Sequence, residues 1–159
     1  MSNEKNLKPV REGEELNENE LKAFMLKHGL IAQAKSLLTV KQFTNGYSNL
    51  TYLLQIENKE YVLRRPPFSA PKRGHDMGRE YTVLQHLNAV YNKSPNVYVF
   101  SEDSKILGAP FYIMEKVNGE ILTAKSAIEK QISPDEFKTI SDTWVDAFVE
   151  FHDIDYKAA

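Results

Sequence analysis

The sequence predicts an α+β domain: a five-stranded antiparallel sheet with one helix packed on it and further helices flanking it at the N- and C-terminal ends. Three observations carry this. The β-rich runs LLTVKQF, NLTYLLQI and EYVLRR follow one another with only TNGYS and ENK between them, the spacing of successive hairpins. Two more such runs, VYVFS and FYIMEKV, come after GREYTVLQHLNAVY, where apolar residues recur at helical rather than strand spacing. The 159 residues suffice for one domain and are short for two complete ones.

The elements are justified in order. Residues 1–16 are charge-rich and too poor in apolar groups to offset their own ordering entropy, so a flexible charged arm is expected there. At Asn17 the run NENE offers a helix cap with Glu20 three residues on. Leu21, Phe24 and Met25 then share one helical face until Gly29 supplies a stop. Three strands follow, and Pro66, Pro67 and Pro71, which lack N–H groups, end the sheet pairing and make PPFSAPKRGHD an exposed connection. After Asp76 as cap, Met77, Tyr81, Leu84, Leu87 and Tyr91 form the apolar side of a helix that should lie on the sheet. VYVFS and FYIMEKV, joined by EDSKILGAP, complete five strands. Beyond Asn118-Gly119 a linker leads to SPDEF, where Ser133 caps, Pro134 takes the first helical position and Glu136 completes a capping box. Phe137, Ile140, Trp144, Phe148 and Phe151 stripe the helix that follows.

Composition excludes several classes. A formal charge of -2 with 26% charged residues carries no basic excess of the kind that advertises nucleic acid. No apolar run approaches the roughly 20 residues that span a bilayer, and the start lacks the apolar core of a signal peptide, so no membrane partner and a cytoplasmic setting are expected. The absence of cysteine removes disulfides and thiolate metal ligands.

Two readings of TNGYSN stand side by side: Asn45-Gly46 as a hairpin turn chosen for positive φ, or a loop whose amides face a phosphate. In EYVLRR, Val62 and Arg64 share one sheet face while Leu63 and Arg65 share the other. Beneath the glycine turn, Arg64 would present a planar charged fork to phosphate oxygens while Val62 packs on a base; otherwise it is a solvated edge arginine. Glu80 on the following helix is the natural counter-ion for Arg64, or else an exposed carboxylate paired locally with Arg79.

Taken together, NGYSNLTYLL, YVLRRPP, GREYTVL, FYIMEKVNGEIL and FVEFHDIDYKAA, in that order, resemble the N-terminal lobe of the protein-kinase-like small-molecule phosphotransferases, the group of aminoglycoside and choline kinases. The likeness is to the branch associated with acyl-CoA dehydrogenases. The resemblance implies that 17–117 is a kinase-like N-lobe and 118–159 the hinge, linker and first helix leading toward a catalytic lobe. It implies that Asn45, Gly46, Tyr47, Ser48 and Asn49 cover the phosphates of ATP or another nucleoside triphosphate. Arg64 would take the place of the strand lysine that holds those phosphates, with Glu80 as its ion-pair partner. Met114 would stand at the back of the adenine pocket, and the Glu115 carbonyl and Val117 amide would meet the adenine edge.

Phosphoryl transfer also needs an acceptor-orienting group and carboxylates for Mg²⁺, which in the resembled family follow on an H-x-D-x-x-x-x-N loop. Neither His75-Asp76 nor His152-Asp153 supplies the asparagine at that spacing, so no catalytic residue and no metal ligand is assigned in this chain. His28 and His86 lack metal-ligand neighbours on their helices, and Lys72 and Arg73 read as solubilising a proline loop. The chain is therefore expected to be a nucleotide-binding lobe, inactive alone and with nucleotide weakly held or absent. The small hydroxylated substrate would be held by the missing lobe, and the uncovered apolar lobe surface would self-associate. A non-catalytic nucleotide-binding or scaffolding module is the competing reading.

Overall fold

The structure is a computed structural model and describes residues 6–44, 48–68, 76–155 and 157. In chain order its elements are β1 (Leu7–Lys8), α1 (Glu18–Lys27), β2 (Thr39–Phe43), β3 (Leu50–Ile56), β4 (Lys59–Arg65), α2 (Met77–Val90), β5 (Val97–Ser101), α3 (Ser104–Leu107), β6 (Phe111–Glu115), α4 (Ala124–Glu129) and α5 (Pro134–His152). The strands form one sheet in the order β1-β2-β3-β4-β6-β5, each neighbouring pair antiparallel.

Among the described residues the sheet has six strands where the sequence predicts five. The sixth is β1, only two residues long, with Leu7 opposite Phe43 and Lys8 opposite Gln42. Within the stretch expected as a charged arm, the described residues 6–16 make specific contacts with the sheet. Gln42 donates to Glu14 (2.6 Å) and accepts from the Arg11 N–H (3.1 Å), the Tyr52 hydroxyl donates to the Glu14 carbonyl (2.8 Å), and Leu16 is buried. Apolar content alone missed this because the arm is held by polar partners that the sheet supplies. Burial pushes the Tyr52 hydroxyl up to about 12, which keeps it a donor.

β3 and β4 pair without interruption from Leu50 opposite Arg65 to Ile56 opposite Lys59. At the hairpin tip Glu57 (φ 51°) and Asn58 (φ 63°) are both left-handed, the two-residue geometry that matches strand twist. Glutamate tolerates that conformation poorly, and three hydrogen bonds hold it there: from Ser36 Oγ (2.5 Å), the Ala32 N–H (2.9 Å) and the Gln33 N–H (2.9 Å). They also hold its carboxyl below the ordinary 4.5.

Alternation gives the sheet two different faces. On one, Tyr52, Leu54, Ile56, Tyr61, Leu63, Phe111 and Ile113 bury against Leu21, Phe24 and Met25 of α1 and Leu107 of α3, with the Phe24 and Phe111 rings meeting edge-on at 5.1 Å. Side chains standing perpendicular to the sheet with period 2 make this a single continuous core. α1 starts where Asn17 accepts from the Glu20 N–H and ends before Gly29, whose φ of 71° suits a residue without Cβ. On the other face α2 lies across β5 and β6: Tyr81 stacks on Phe100 at 5.6 Å and leans on Tyr112 at 6.4 Å. A Cβ at Gly78 would stand 3.2 Å from the Phe100 ring, so this glycine lets the helix approach the strand closely.

Two short helices escape periodicity. α3 lies within the predicted connection EDSKILGAP, between Asp103 as cap and a left-handed Gly108. α4 lies within the predicted linker and starts at a reciprocal Thr123–Ser126 capping box. α5 starts at the expected Ser133–Glu136 box with Pro134 in its first turn. Its stripe is not buried: Phe137, Ile140, Trp144 and Phe148 are between 40% and 65% exposed. The helix touches the rest of the domain through the Tyr91 hydroxyl on the Ala147 carbonyl (3.3 Å), the edge-on pair Tyr91–Phe151 and the ion pair Lys93–Glu150.

Candidate functional site

The site is built on the α2 side of β4. Register places Val62 between Leu53 of β3 and Met114 of β6, and Arg64 between Thr51 and Tyr112. Val62, Arg64, Tyr112 and Met114 thus share one face. β4 is an interior strand, so the reading of Arg64 as an edge arginine does not hold. α2, capped by Asp76, brings Glu80 to this face, and Arg64 Nη2 stands 3.5 Å from Glu80 Oε2. Glu80 therefore pairs across elements with Arg64. With both side chains about one-third exposed the attraction is screened, on the order of 1 kcal/mol or less.

Two further groups hold the carboxylate. Asn49 Nδ2 donates to Glu80 Oε1 at 2.8 Å, and the Tyr112 hydroxyl donates to Glu80 Oε2 at 3.1 Å. Asn49 is buried at the foot of the loop between β2 and β3. Burial pushes the Tyr112 hydroxyl far above its ordinary range; the Arg64 charge works against that shift and Glu80 adds to it, so Tyr112 remains a donor at any physiological pH. Arg64, Arg79, Glu80, Val83, Leu84 and Tyr112 line an open groove of about 330 Å³.

Arg64 Nε is buried and has no hydrogen-bond partner among the described residues. Leaving such a donor unsatisfied costs roughly 1–3 kcal/mol, more for a charged group; the guanidinium as a whole is about one-third exposed, and an anionic oxygen entering the groove would meet its outer nitrogens, with Nε reached only if the side chain turns. The donor set therefore fits a phosphate. The same does not hold for a metal: among the described residues no group of three or more His, Asp or Glu is arranged to hold one. His28 packs on Phe24 at 4.4 Å, and His152 packs on Phe148 at 4.1 Å while its Nδ1 meets the Phe148 carbonyl.

Of the residues singled out by sequence, the structure brings Asn49, Val62, Arg64, Glu80 and Met114 to one side of the sheet, with Ser48 exposed beside Asn49. Asn45, Gly46 and Tyr47 lie outside the described residues, as do Pro71, Lys72, Arg73 and His75. The Glu115 carboxylate turns toward β5, accepting from Asn96 N–H (3.1 Å) and Nδ2 (2.7 Å), and its backbone N–H donates to the Asn96 carbonyl (2.7 Å). Val117 is 57% exposed, two residues past the end of β6. Tyr112 is the residue that sequence reasoning missed. Its signal was available: it lies two positions before Met114, hence on the same face, in a strand rich in aromatics.

Residues 39–159 match the phosphotransferase enzyme family. The chain is 33% identical over 138 residues to acyl-CoA dehydrogenase family member 11 of Rattus norvegicus, covering 85% of this chain and 18% of that protein. Its human counterpart is 28% identical over 158 residues, covering 98% of this chain and 20% of the relative. The chain thus spans about a fifth of the length of these curated relatives. In three dimensions it is similar to a crystal structure from Ralstonia eutropha, of a protein named provisionally as an aminoglycoside phosphotransferase. The TM-score is 0.70 with 30% identity, over 91% of this chain and 40% of the other.

Proposed function

This chain belongs to the phosphotransferase enzyme family, and from that premise we propose that it is the nucleotide-binding lobe of an ATP-dependent kinase-like phosphotransferase acting on a hydroxyl group of a small molecule. ATP, when bound, supplies the phosphoryl group to be transferred. Arg64 holds phosphate oxygens through its outer nitrogens, and Glu80 keeps the guanidinium from swinging out of the groove. Val62 and Met114, paired across β4 and β6, give the base an apolar seat, and the Glu115 carbonyl and Val117 amide meet its edge. By the family resemblance, residues 45–49 would cover the phosphates through backbone N–H groups. Mg²⁺ ligands and the group that orients the acceptor hydroxyl lie in the remainder of the catalytic domain, so this chain alone binds nucleotide weakly and transfers nothing. The exposed stripe of α5 is the surface that this remainder covers; when bare it drives self-association.

The single observation that carries this reading is Arg64: a charged fork with an orphaned donor, braced by Glu80, on the same face as Val62 and Met114. The test is calorimetric titration of Mg²⁺-ATP into a chain extended to the length of the solved relative, as wild type and Arg64→Ala. Saturable binding that Arg64→Ala weakens by tenfold or more, together with turnover on small alcohols, is the expected result. Binding without turnover on any hydroxylated acceptor would favour a non-catalytic nucleotide-binding or scaffolding module. Equal affinity in both proteins would remove Arg64 from the site.

A further inference from the structure

Glu80 is unusually fully engaged for a carboxylate that is about one-third exposed. Each of its oxygens accepts a hydrogen bond from a buried neutral side chain on a different element: Asn49 in the loop just before β3 and Tyr112 in β6. The arginine it faces is farther away, at 3.5 Å, beyond good hydrogen-bond distance. The carboxylate is thus positioned by the two neutral groups, and the guanidinium then leans on a charge already fixed. We infer that Asn49 and Tyr112 are positioning residues which, acting through Glu80, set the direction of the Arg64 guanidinium. Asn49 serves by bracing the carboxylate and not by its side chain touching phosphate. The inference deepens the phosphate-binding reading of the same groove and rests on it for its functional consequence.

The mechanism has a definite physical order. Tyr112 is opposite Arg64 in the sheet register, so its ring lies beside the arginine stem while its hydroxyl reaches past to α2. Asn49 closes the loop that begins after β2, so the same amide that fixes Glu80 also ties the foot of that loop to the helix. Removing either bond frees one carboxylate oxygen to rotate toward solvent, and the guanidinium loses its fixed counter-charge. Asn49→Asp is the harsher change, because it sets a like charge against Glu80.

The experiment is a double-mutant cycle with two readouts. Asn49→Ala and Tyr112→Phe are each made in the wild-type chain and in Glu80→Ala, and melting curves select variants that remain folded. The first readout is the nitrogen-15 resonance of Arg64 Nε, assigned by its loss in Arg64→Lys. The second is affinity for inorganic triphosphate. The expected result is that each single change moves the Arg64 resonance and weakens triphosphate binding roughly five- to tenfold, the size of one ordinary net hydrogen bond. In the Glu80→Ala background neither change has any further effect. Additive losses in that background, or an Arg64 resonance that Asn49→Ala and Tyr112→Phe leave in place, would overturn the inference. If the wild-type chain binds no triphosphate, the phosphate-binding reading fails on that count, and the Arg64 resonance alone decides between positioning and its absence.

Discussion

Arg64 and Arg65 are neighbours in one strand with the same side chain, and the two faces of β4 make them into different things. Arg65 is 1% exposed on the core side, where Nη1 donates to the Leu107 carbonyl at 2.6 Å, Nε to the Pro66 carbonyl at 3.1 Å, and the guanidinium lies 3.5 Å from the centre of the Phe68 ring. Burial lowers its pKa, with Tyr52 and Glu14 acting in the opposite direction. It joins β4 to the end of α3 and faces away from the groove. Arg64, one residue earlier, is one-third exposed, braced by a carboxylate and has a donor with no partner among the described residues. A satisfied arginine is architecture, and an arginine with spare donors beside a groove is where the proposed phosphate site is put to the test.

That contrast can be broken most forcefully from the core side. Arg65→Ala removes two hydrogen bonds to backbone carbonyls and leaves a buried void, so a loss of about 2–4 kcal/mol in urea unfolding is expected. A loss below about 1 kcal/mol would mean that Arg65 is no more structural than its neighbour. Arg64→Ala should do the reverse, changing stability by about 1 kcal/mol or less and lowering triphosphate affinity by tenfold or more. The same division applies to α5, whose Trp144 is 65% exposed. Trp144→Asp should shift light scattering toward monomer while moving the unfolding midpoint little, within about 0.5 kcal/mol. Unchanged scattering would place any self-association elsewhere.

The smallest effect sharpens the comparison from the far end of the β3–β4 hairpin. The folded carboxyl of Glu57 titrates below its ordinary 4.5, so its contribution is present above that value and is lost as pH falls through the folded pKa. Glu57→Gln should therefore flatten the acid side of the stability profile below about pH 4.5 and leave triphosphate binding alone. A change in binding would mean that the hairpin tip and the groove are coupled along β4.

Much of this was legible in the residues. Period-2 alternation assigned Arg64 and Arg65 to opposite faces, the proline pair marked the end of β4, and Ser133-Pro134 with Glu136 marked the start of α5. What escaped has common physical causes. β1 is two residues long and α3 four, below the length at which any period can be seen. The polar anchoring of 6–16 depends on Gln42 and Tyr52, which are distant in sequence. The bracing of Glu80 needed two strands, a loop and a helix to be placed at once, so sequence supplied the Arg64–Glu80 pair while Asn49 was read only as a phosphate cover.

The most direct test watches both arginines in one experiment. Inorganic triphosphate is titrated into the nitrogen-15 labelled chain while the Nε resonances of Arg64 and Arg65 are followed. The expected result is a saturable shift of Arg64 with Arg65 unmoved; movement of Arg65 with Arg64 still, or no movement of either, would contradict the assignment of the phosphate site to the α2 face of β4.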